Sequence, residues 1–518
     1  FRPVRDALER RRSSLESEQR AADEARAEAE LALQEARQRR TELEGSLEEL
    51  RERVLREAET ERERLVESAR AQTQRERETL KQELVSLRRA QARSLTRDAA
   101  FEAAANARRA QERWANRPLE DRIALVLKAN EIVGQSTDRM ATELAHQMGR
   151  PIRYGGEFGG FSERLTYMAE VAPECLAPTV VEDSDTFRRL IKHKPWGTVL
   201  VVAPWNYPYM TAINTIAPAL IAGNAVILKH AQQTLQVGER LAEAFHEAGV
   251  PEEVFQNVVL DHDTTSALIG ERAVDFVNFT GSVGGGQAME RAAAGTFTPV
   301  STELGGKDPG YVRADADLDA AVETLMDGAM FNAGQCCCGI ERIYVNEALF
   351  DAFVEKSVAW VNAQKLGNPL DPETTLGPMA NIRFAREVRA QIDEAIADGA
   401  TAHIAKMEAD DGGTYLTPQI LTNVTHDMRV MRDESFGPVV GIMPVDDDQT
   451  AIRLMNDSRF GLTASVWTED AEAAESIGDL LQTGTVFMNR CDYLDPALCW
   501  TGCKDTGRGA GLSKLAYG

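Results

Sequence analysis

Apolar and polar positions change rhythm once along this chain, near residue 98. Before that point no proline interrupts Val4 to Arg117, and residues 1 to 98 are mostly Glu, Arg, Ala, Gln and Leu, which lose little on entering a helix. The composition predicts one long helix. Leu8, Leu15, Ala22, Ala29, Ala36, Leu43 and Leu50 recur every seven residues, the period of a left-handed coiled coil. Farther on, Leu43, Val54, Leu65 and Leu87, broken only by Glu76, are spaced by eleven, as are Leu47, Ala58, Ala69 and Leu80, which turns the apolar stripe right-handed. Continuous to residue 98, the helix would reach ~150 Å at ~1.5 Å per residue. A helix polar on most of its surface needs a partner along the stripe, either a second copy or another helical protein. The alternative is a solvated single helix held by Glu/Arg pairs.

After residue 99 apolar runs bounded by Gly and Pro take over: GTVLVVAP (197–204), GNAVILK (223–229) and VDFVNFTGS (274–282) alternate with amphipathic stretches such as TLQVGERLAEAFHEAG (234–249). That is the rhythm of βαβ units around a parallel sheet. From about residue 310 the alternation resumes, with helical DLDAAVETLMDGAMF, strand-like ERIYV, and later PVVGIMPV and TGTVFMN. The expected fold class is α/β behind a coiled-coil helix. The expected segments are residues 1–98 (helix), 99–303 (first α/β domain, with a hairpin at about 177–196), 304–488 (second α/β domain) and 489–518 (tail).

Composition narrows the function classes. The 518 residues carry a net charge of −24, and because residues 1–98 balance 23 basic against 23 acidic side chains, the whole excess lies in the remainder. Such a surface repels phosphate, which sets aside nucleic acid and anionic lipid as partners. The seven cysteines are an odd number, and no leader-like segment opens the chain, so a reduced cytoplasmic setting is expected. No window approaches the ~20 apolar residues of a membrane span.

Three of those cysteines are adjacent, in FNAGQCCCGIERIYV (331–345). An aldehyde loses hydride only from a tetrahedral carbon, so a nucleophile must add first, and a thiolate does this well. Consecutive side chains point in different directions, so at most one of the three faces a given substrate. A metal cluster is the alternative, but neighbouring histidine and C-x2-C spacing are both lacking, and no metal is expected. Glu303, before paired glycines in STELGGKDP, suits a base. Asn206 in APWNYP stands at the carboxyl end of an apolar strand, where its amide can donate to an oxyanion. FTGSVGGG (279–286) follows a strand and opens a helix, presenting N–H groups to phosphate.

Taken in order, PWNYP, Lys229-x-Ala-x-Gln-Thr, FTGS, ELGGKDP, GQCCC and ESFGPVV resemble the aldehyde dehydrogenase superfamily over about residues 101–518. The resemblance implies a Rossmann-like NAD(P)-binding domain followed by a catalytic α/β domain. It implies Cys337 as nucleophile, Glu303 as the base that activates deacylating water, and Asn206 with the Cys337 backbone N–H as the oxyanion hole. For the cofactor it implies Lys229 and Gln232 at the adenosine ribose and Ser282 at the pyrophosphate. Pro204, Trp205, Phe279, Thr280, Gly281 and Leu304 surround the cofactor, and Glu434 and Phe436 hold the nicotinamide ribose and ring. The implied cofactor is NAD, and Gln232, neutral where NAD-preferring members often carry Glu, leaves NADP open. The N-terminal FRPVRDALERRRSSL and the run after it resemble the soluble part of the ATP synthase peripheral-stalk b subunit, which implies a stalk-like helical partner.

The pattern departs from the superfamily in three places. VVLDHDTTSALIG (258–270) replaces the usual glycine-rich stretch. FEAAANARRAQERW (101–114) joins the long helix directly, where a short β segment is usual. The strand that usually comes after the region matching GLSKLAYG, pairs with a hairpin like TFRRLIKHKP (186–195) and helps build the oligomer is expected to be missing. The expectation is a composite of a stalk-like helix and an enzyme, a homo-oligomer taking a small aldehyde; the second reading is a scaffold with the enzyme as cargo. Arg490, Tyr493 and Trp500 in RCDYLDPALCWTG (490–502) are candidates for the substrate mouth, with loop packing as the alternative.

Overall fold

The computed structural model describes residues 97–517 continuously, together with Arg62, Arg64 to Ala69, Gln72, Thr73, Arg77, Leu80 and Lys81. Those earlier positions are helical, and the coiled-coil and stalk-like expectations otherwise lie outside the described residues. The chain divides into two units, residues 1–94 and 95–518, and both sheets and the candidate site lie within the second.

Helices Arg97–Ala115, Leu119–Gly134, Thr137–Met148 and Phe158–Cys175 come first, then a hairpin of β1 (Thr179–Asp183) and β2 (Arg188–Ile191). The hairpin is antiparallel, and its Val180, Val181 and Ile191 face solvent. β3 (Thr198–Val202), β4 (Ala225–Lys229), β5 (Phe255–Asn257), β6 (Phe276–Thr280) and β7 (Val300–Glu303) form a parallel sheet in the order β5-β4-β3-β6-β7. Every residue of β3 and β4 is buried, because crossover helices cover both faces, and this is why these strands read as unbroken apolar runs. The chain leaves β3 to one side for β4 and later returns to its other side for β6. Open α/β sheets bind ligands beside such a reversal, at the carboxyl ends of the strands.

Register delivers the motifs to that edge. Val202 pairs with Lys229 on one side and Phe279 on the other, and Thr280 pairs with Glu303. Four motifs scattered over a hundred residues therefore end side by side.

β8 (Asp308–Val312), β9 (Ile340–Asn346), β10 (Thr401–Ala402), β11 (Gln419–Thr422), β12 (Val439–Val445), β13 (Thr463–Trp467) and β14 (Thr485–Met488) make a second sheet in the order β10-β11-β12-β9-β8-β13-β14. Only β10 runs antiparallel to its neighbour. Helix Leu318–Met330 leads into the cysteine loop and β9 leaves it. Among the described residues no helix is long and apolar enough to cross a membrane.

Candidate active site

The cysteine loop is held by its backbone before its thiols matter. Helix Leu318–Met330 ends, and Asn332, Ala333 and Gly334 then take left-handed φ values of 54°, 55° and 67°. Such a run reverses the chain at a cost of ~1–2 kcal/mol for a non-glycine residue. At Gly334 a Cβ would collide with the Gly437 carbonyl, so glycine is required there. Gln335 is buried and pins the turn: its amide donates to the Asn332 carbonyl at 2.9 Å and accepts from the Ala380 N–H at 2.9 Å. The Gly-Gln pair thus serves geometry, leaving chemistry to the cysteines.

Of the three thiols, Cys336 and Cys338 are buried, and Cys337 alone is part-exposed. The adjoining Cys336 and Cys338 thiols lower the Cys337 pKa to about 6, against the pull of its own burial. The same contact pushes the Cys336 thiol up to about 12.

Asn206 is fixed by a buried cationic brace. Arg150 donates to the Asn206 carbonyl and pairs with Glu157. The other Glu157 oxygen accepts the N–H groups of Tyr209 and Met210 at 3.0 and 2.9 Å, at the start of helix Pro208–Ile221. Asn332 Nδ2 also donates to the Asn206 carbonyl at 3.2 Å, while Asn206 Nδ2 donates to the Gln335 carbonyl at 3.2 Å. One amide proton of Asn206 thus anchors it to the cysteine loop, and the amide has a second for an oxyanion.

Cys337, Glu303, Thr280 and Leu304 line one cavity of about 220 Å³. Burial raises the Glu303 carboxyl to about 7, offset in part by the Arg164 charge and a hydrogen bond from Thr280. That is the range a base needs at neutral pH. Arg164, on helix Phe158–Cys175, reaches the same cavity. Its guanidinium donates to the Met210 carbonyl at 3.0 Å and to Asn214 Oδ1 at 3.4 Å, and its buried Nε has no partner. Among the described residues no carboxylate lies within 4.0 Å of it.

The cofactor candidates occupy the adjoining edge of the first sheet. Lys229, last residue of β4, is buried with no carboxylate at ion-pair distance among the described residues, and burial lowers its pKa. Ser282 caps helix Val283–Ala293, its hydroxyl accepting from the Gly285 N–H at 3.3 Å, with Gly281 packed so closely on the Phe279 ring that a Cβ would come within 2.9 Å. Pro204 is buried; Trp205 stacks on Phe384 at 5.2 Å and meets Phe436 edge-on at 5.6 Å. Glu434 accepts from the Gly306 N–H at 3.1 Å, and burial beside Glu341 lifts its carboxyl to about 8. Gln232 lies exposed in a short turn after β4. A lone buried ammonium, a helix N-terminus ringed by glycines and an aromatic wall are the groups that a dinucleotide's ribose, diphosphate and ring require. The residues present therefore fit a nicotinamide dinucleotide.

In the 490–502 loop, Tyr493 and Trp500 line the cavity, whereas Arg490 does not. The Arg490 guanidinium lies 3.4 Å from the Tyr493 ring centroid, so cation–π stacking holds this exposed side chain on that ring. Sequence reasoning missed Arg150, Glu157, Arg164 and Asp492, which are single charged residues in helical or loop stretches without a local motif. In place of the absent glycine-rich stretch, Asp261 caps helix His262–Gly270 through the Thr264 N–H at 2.7 Å.

Comparison with known proteins agrees with this geometry. The Aldehyde dehydrogenase family model matches residues 87–517. The chain is 33% identical over 407 residues to succinate-semialdehyde dehydrogenase [NADP(+)] of Deinococcus radiodurans, covering 78% of this chain and 85% of that protein. It is 33% identical to succinate semialdehyde dehydrogenase [NAD(P)+] of Escherichia coli strain K12, covering 77% and 87%. Among solved structures, succinic semialdehyde dehydrogenase from Streptococcus pyogenes in complex with NADP+ superimposes with a TM-score of 0.76 at 30% identity, covering 80% of this chain and 92% of that one.

Proposed function

The chain belongs to the aldehyde dehydrogenase family, and from that premise we propose that it oxidises a short aldehyde bearing a carboxylate to the dicarboxylic acid, with Cys337 as nucleophile and Glu303 as base. NAD(P)+ is the cofactor, as in the named relatives.

Single observations support each role. The Cys337 thiolate, ionised near neutrality, adds to the carbonyl carbon, and the oxygen takes up the charge beside Asn206 Nδ2 and the Cys337 N–H. Lys229, Ser282, Trp205, Glu434 and Phe436 would hold the dinucleotide, with Pro204, Phe279, Thr280, Gly281, Leu304 and Gln232 around it, and when bound it would supply a hydride acceptor. Loss of hydride leaves a thioester on Cys337. Glu303 draws a proton from water, which attacks the thioester carbon; the acid departs and the thiolate is restored. In this division of labour, residues 99–303 bind most of the cofactor, and 304–488 carry the nucleophile and complete the cofactor site with Leu304, Glu434 and Phe436.

The substrate class rests on Arg164. A buried guanidinium without a carboxylate partner is expensive, and a substrate carboxylate entering the cavity would remove that cost through charge-assisted hydrogen bonds. The test compares succinic semialdehyde with butanal, its uncharged counterpart, in the native chain and in Arg164→Met. The native chain should favour the charged aldehyde in kcat/KM, and the variant should lose that preference by ~10-fold or more, about 1.4 kcal/mol. An unchanged preference refutes the assignment.

A further inference from the structure

The mechanism uses one thiol and leaves the two beside it unexplained. Cys336 Sγ and Cys338 Sγ lie 3.5 Å apart, and each is 3.0 Å from Asp492 Oδ1. Cys337 Sγ lies within 4.8 Å of both other sulfurs. Asp492 arrives from a distant loop, its backbone left-handed with φ 48°, and among the described residues it has no cationic partner at ion-pair distance. Behind it, Gly328 leaves room for the loop, since a Cβ there would come within 2.7 Å of Cys491 Sγ.

We propose that Cys336, Cys338 and Asp492 form a binding site for one zinc ion, which takes Cys337 as its fourth ligand and so reversibly silences the enzyme. The dimensions fit. A circle through the two sulfurs and Oδ1 has a radius of about 1.8 Å, less than the ~2.0–2.3 Å of zinc bonds to oxygen and sulfur. An ion resting on one face of that triangle therefore reaches all three atoms without stretching the site. Cys337, grouped with the two sulfurs within 4.8 Å, turns toward that face to complete a closed set of three thiolates and a carboxylate. The cavity that admits aldehyde is lined by all four residues and gives the ion its path. Binding forms three Zn–S bonds and one Zn–O bond and releases one proton from each thiol that was protonated, so affinity rises with pH. No histidine or C-x2-C spacing is involved, because the oxygen donor, Asp492, comes from a loop far along the chain.

The inhibitory consequence rests on Cys337 being the nucleophile; metal binding does not, and two readouts keep them apart. The chelator-treated full chain is titrated with zinc while steady-state oxidation is followed, and separately with cobalt while absorbance is recorded. The expected results are one zinc per chain, inhibition relieved by a chelator, and an intense thiolate-to-cobalt charge-transfer band with tetrahedral visible absorption. Asp492→Asn and Cys338→Ser should each need at least ~10-fold more zinc to halve their own metal-free rate, as loss of a ligand implies. Cys499→Ser, outside the cluster, should respond like the native chain. Equal zinc sensitivity in Asp492→Asn, Cys338→Ser and the native chain would overturn the proposal, and so would a native chain whose cobalt spectrum lacks the thiolate band. A cobalt band without aldehyde oxidation would keep the site and refute the functional reading alone.

Discussion

Replacing Glu303 by glutamine separates the two things its burial does. In the folded chain its carboxyl titrates at about 7 against an ordinary 4.5, with burial as the main cause. Between those values the folded chain keeps a proton that the unfolded chain has released, so stability falls as pH rises through that window. Above about pH 7 the full cost is present, and at ~1.4 kcal/mol per pH unit the gap amounts to about 3 kcal/mol. Glutamine is neutral and nearly isosteric, so Glu303→Gln should match the native chain at about pH 4.5 and exceed it by up to about 3 kcal/mol at about pH 8.5. Urea unfolding at the two pH values measures this directly. Activity should move the opposite way: without a base to activate water, turnover should drop ~10²–10⁴-fold, while the first turnover still releases one reduced nicotinamide per chain as a burst. An equal stability gap at both pH values would show that the carboxyl does not titrate near neutrality. Undiminished turnover would show that another group is the base.

The same geometry carries other consequences. Arg150→Met strands the buried Glu157 carboxylate, which should lower stability by ~3–5 kcal/mol in urea unfolding, and Arg150→Met with Glu157→Gln should recover part of the loss. Lys229→Met should raise the Kd for the dinucleotide ~10-fold in a fluorescence titration while leaving the rate of thiol labelling unchanged. The alkylation rate of Cys337 by iodoacetamide should climb through about pH 6, where an unperturbed thiol would climb near 9. A lysine in place of Ile191 on the exposed hairpin should shift the chain to a smaller species in sedimentation if that apolar face joins copies of it.

The convergence of several candidate site residues was legible because they sit on strand ends. Lys229 and Thr280, with Phe279 before it, close apolar strands, Glu303 closes a short polar one ahead of paired glycines, and one parallel register brings such ends together whatever their separation in sequence. Gly334 and Gln335 were legible as a turn, although their backbone task appeared only once Gly437 and Ala380 were seen against them. Arg164 was not legible, since a charged residue among helical positions reads as a solvated face and only the packing of helix Phe158–Cys175 onto helix Pro208–Ile221 buries it; Arg150 and Glu157 stand in loops, where nothing local marks that each is the other's buried partner. Arg490 failed the other way, because a cation in a loop next to an aromatic residue can stack instead of facing the cavity. Asp492 lies more than 150 residues from the thiols it meets, and nothing local in RCDYLDPALCWTG marks it.

The covalent step is tested most directly by catching the acyl group on sulfur. Glu303→Gln is mixed with succinic semialdehyde and NAD(P)+, quenched in acid, digested, and fragmented by mass spectrometry across residues 336–338. The account predicts a succinyl group on Cys337 at up to one per chain, dependent on the dinucleotide. Acylation confined to Cys336, Cys338 or a distant cysteine, or a burst of reduced cofactor with no acylated sulfur, would contradict it.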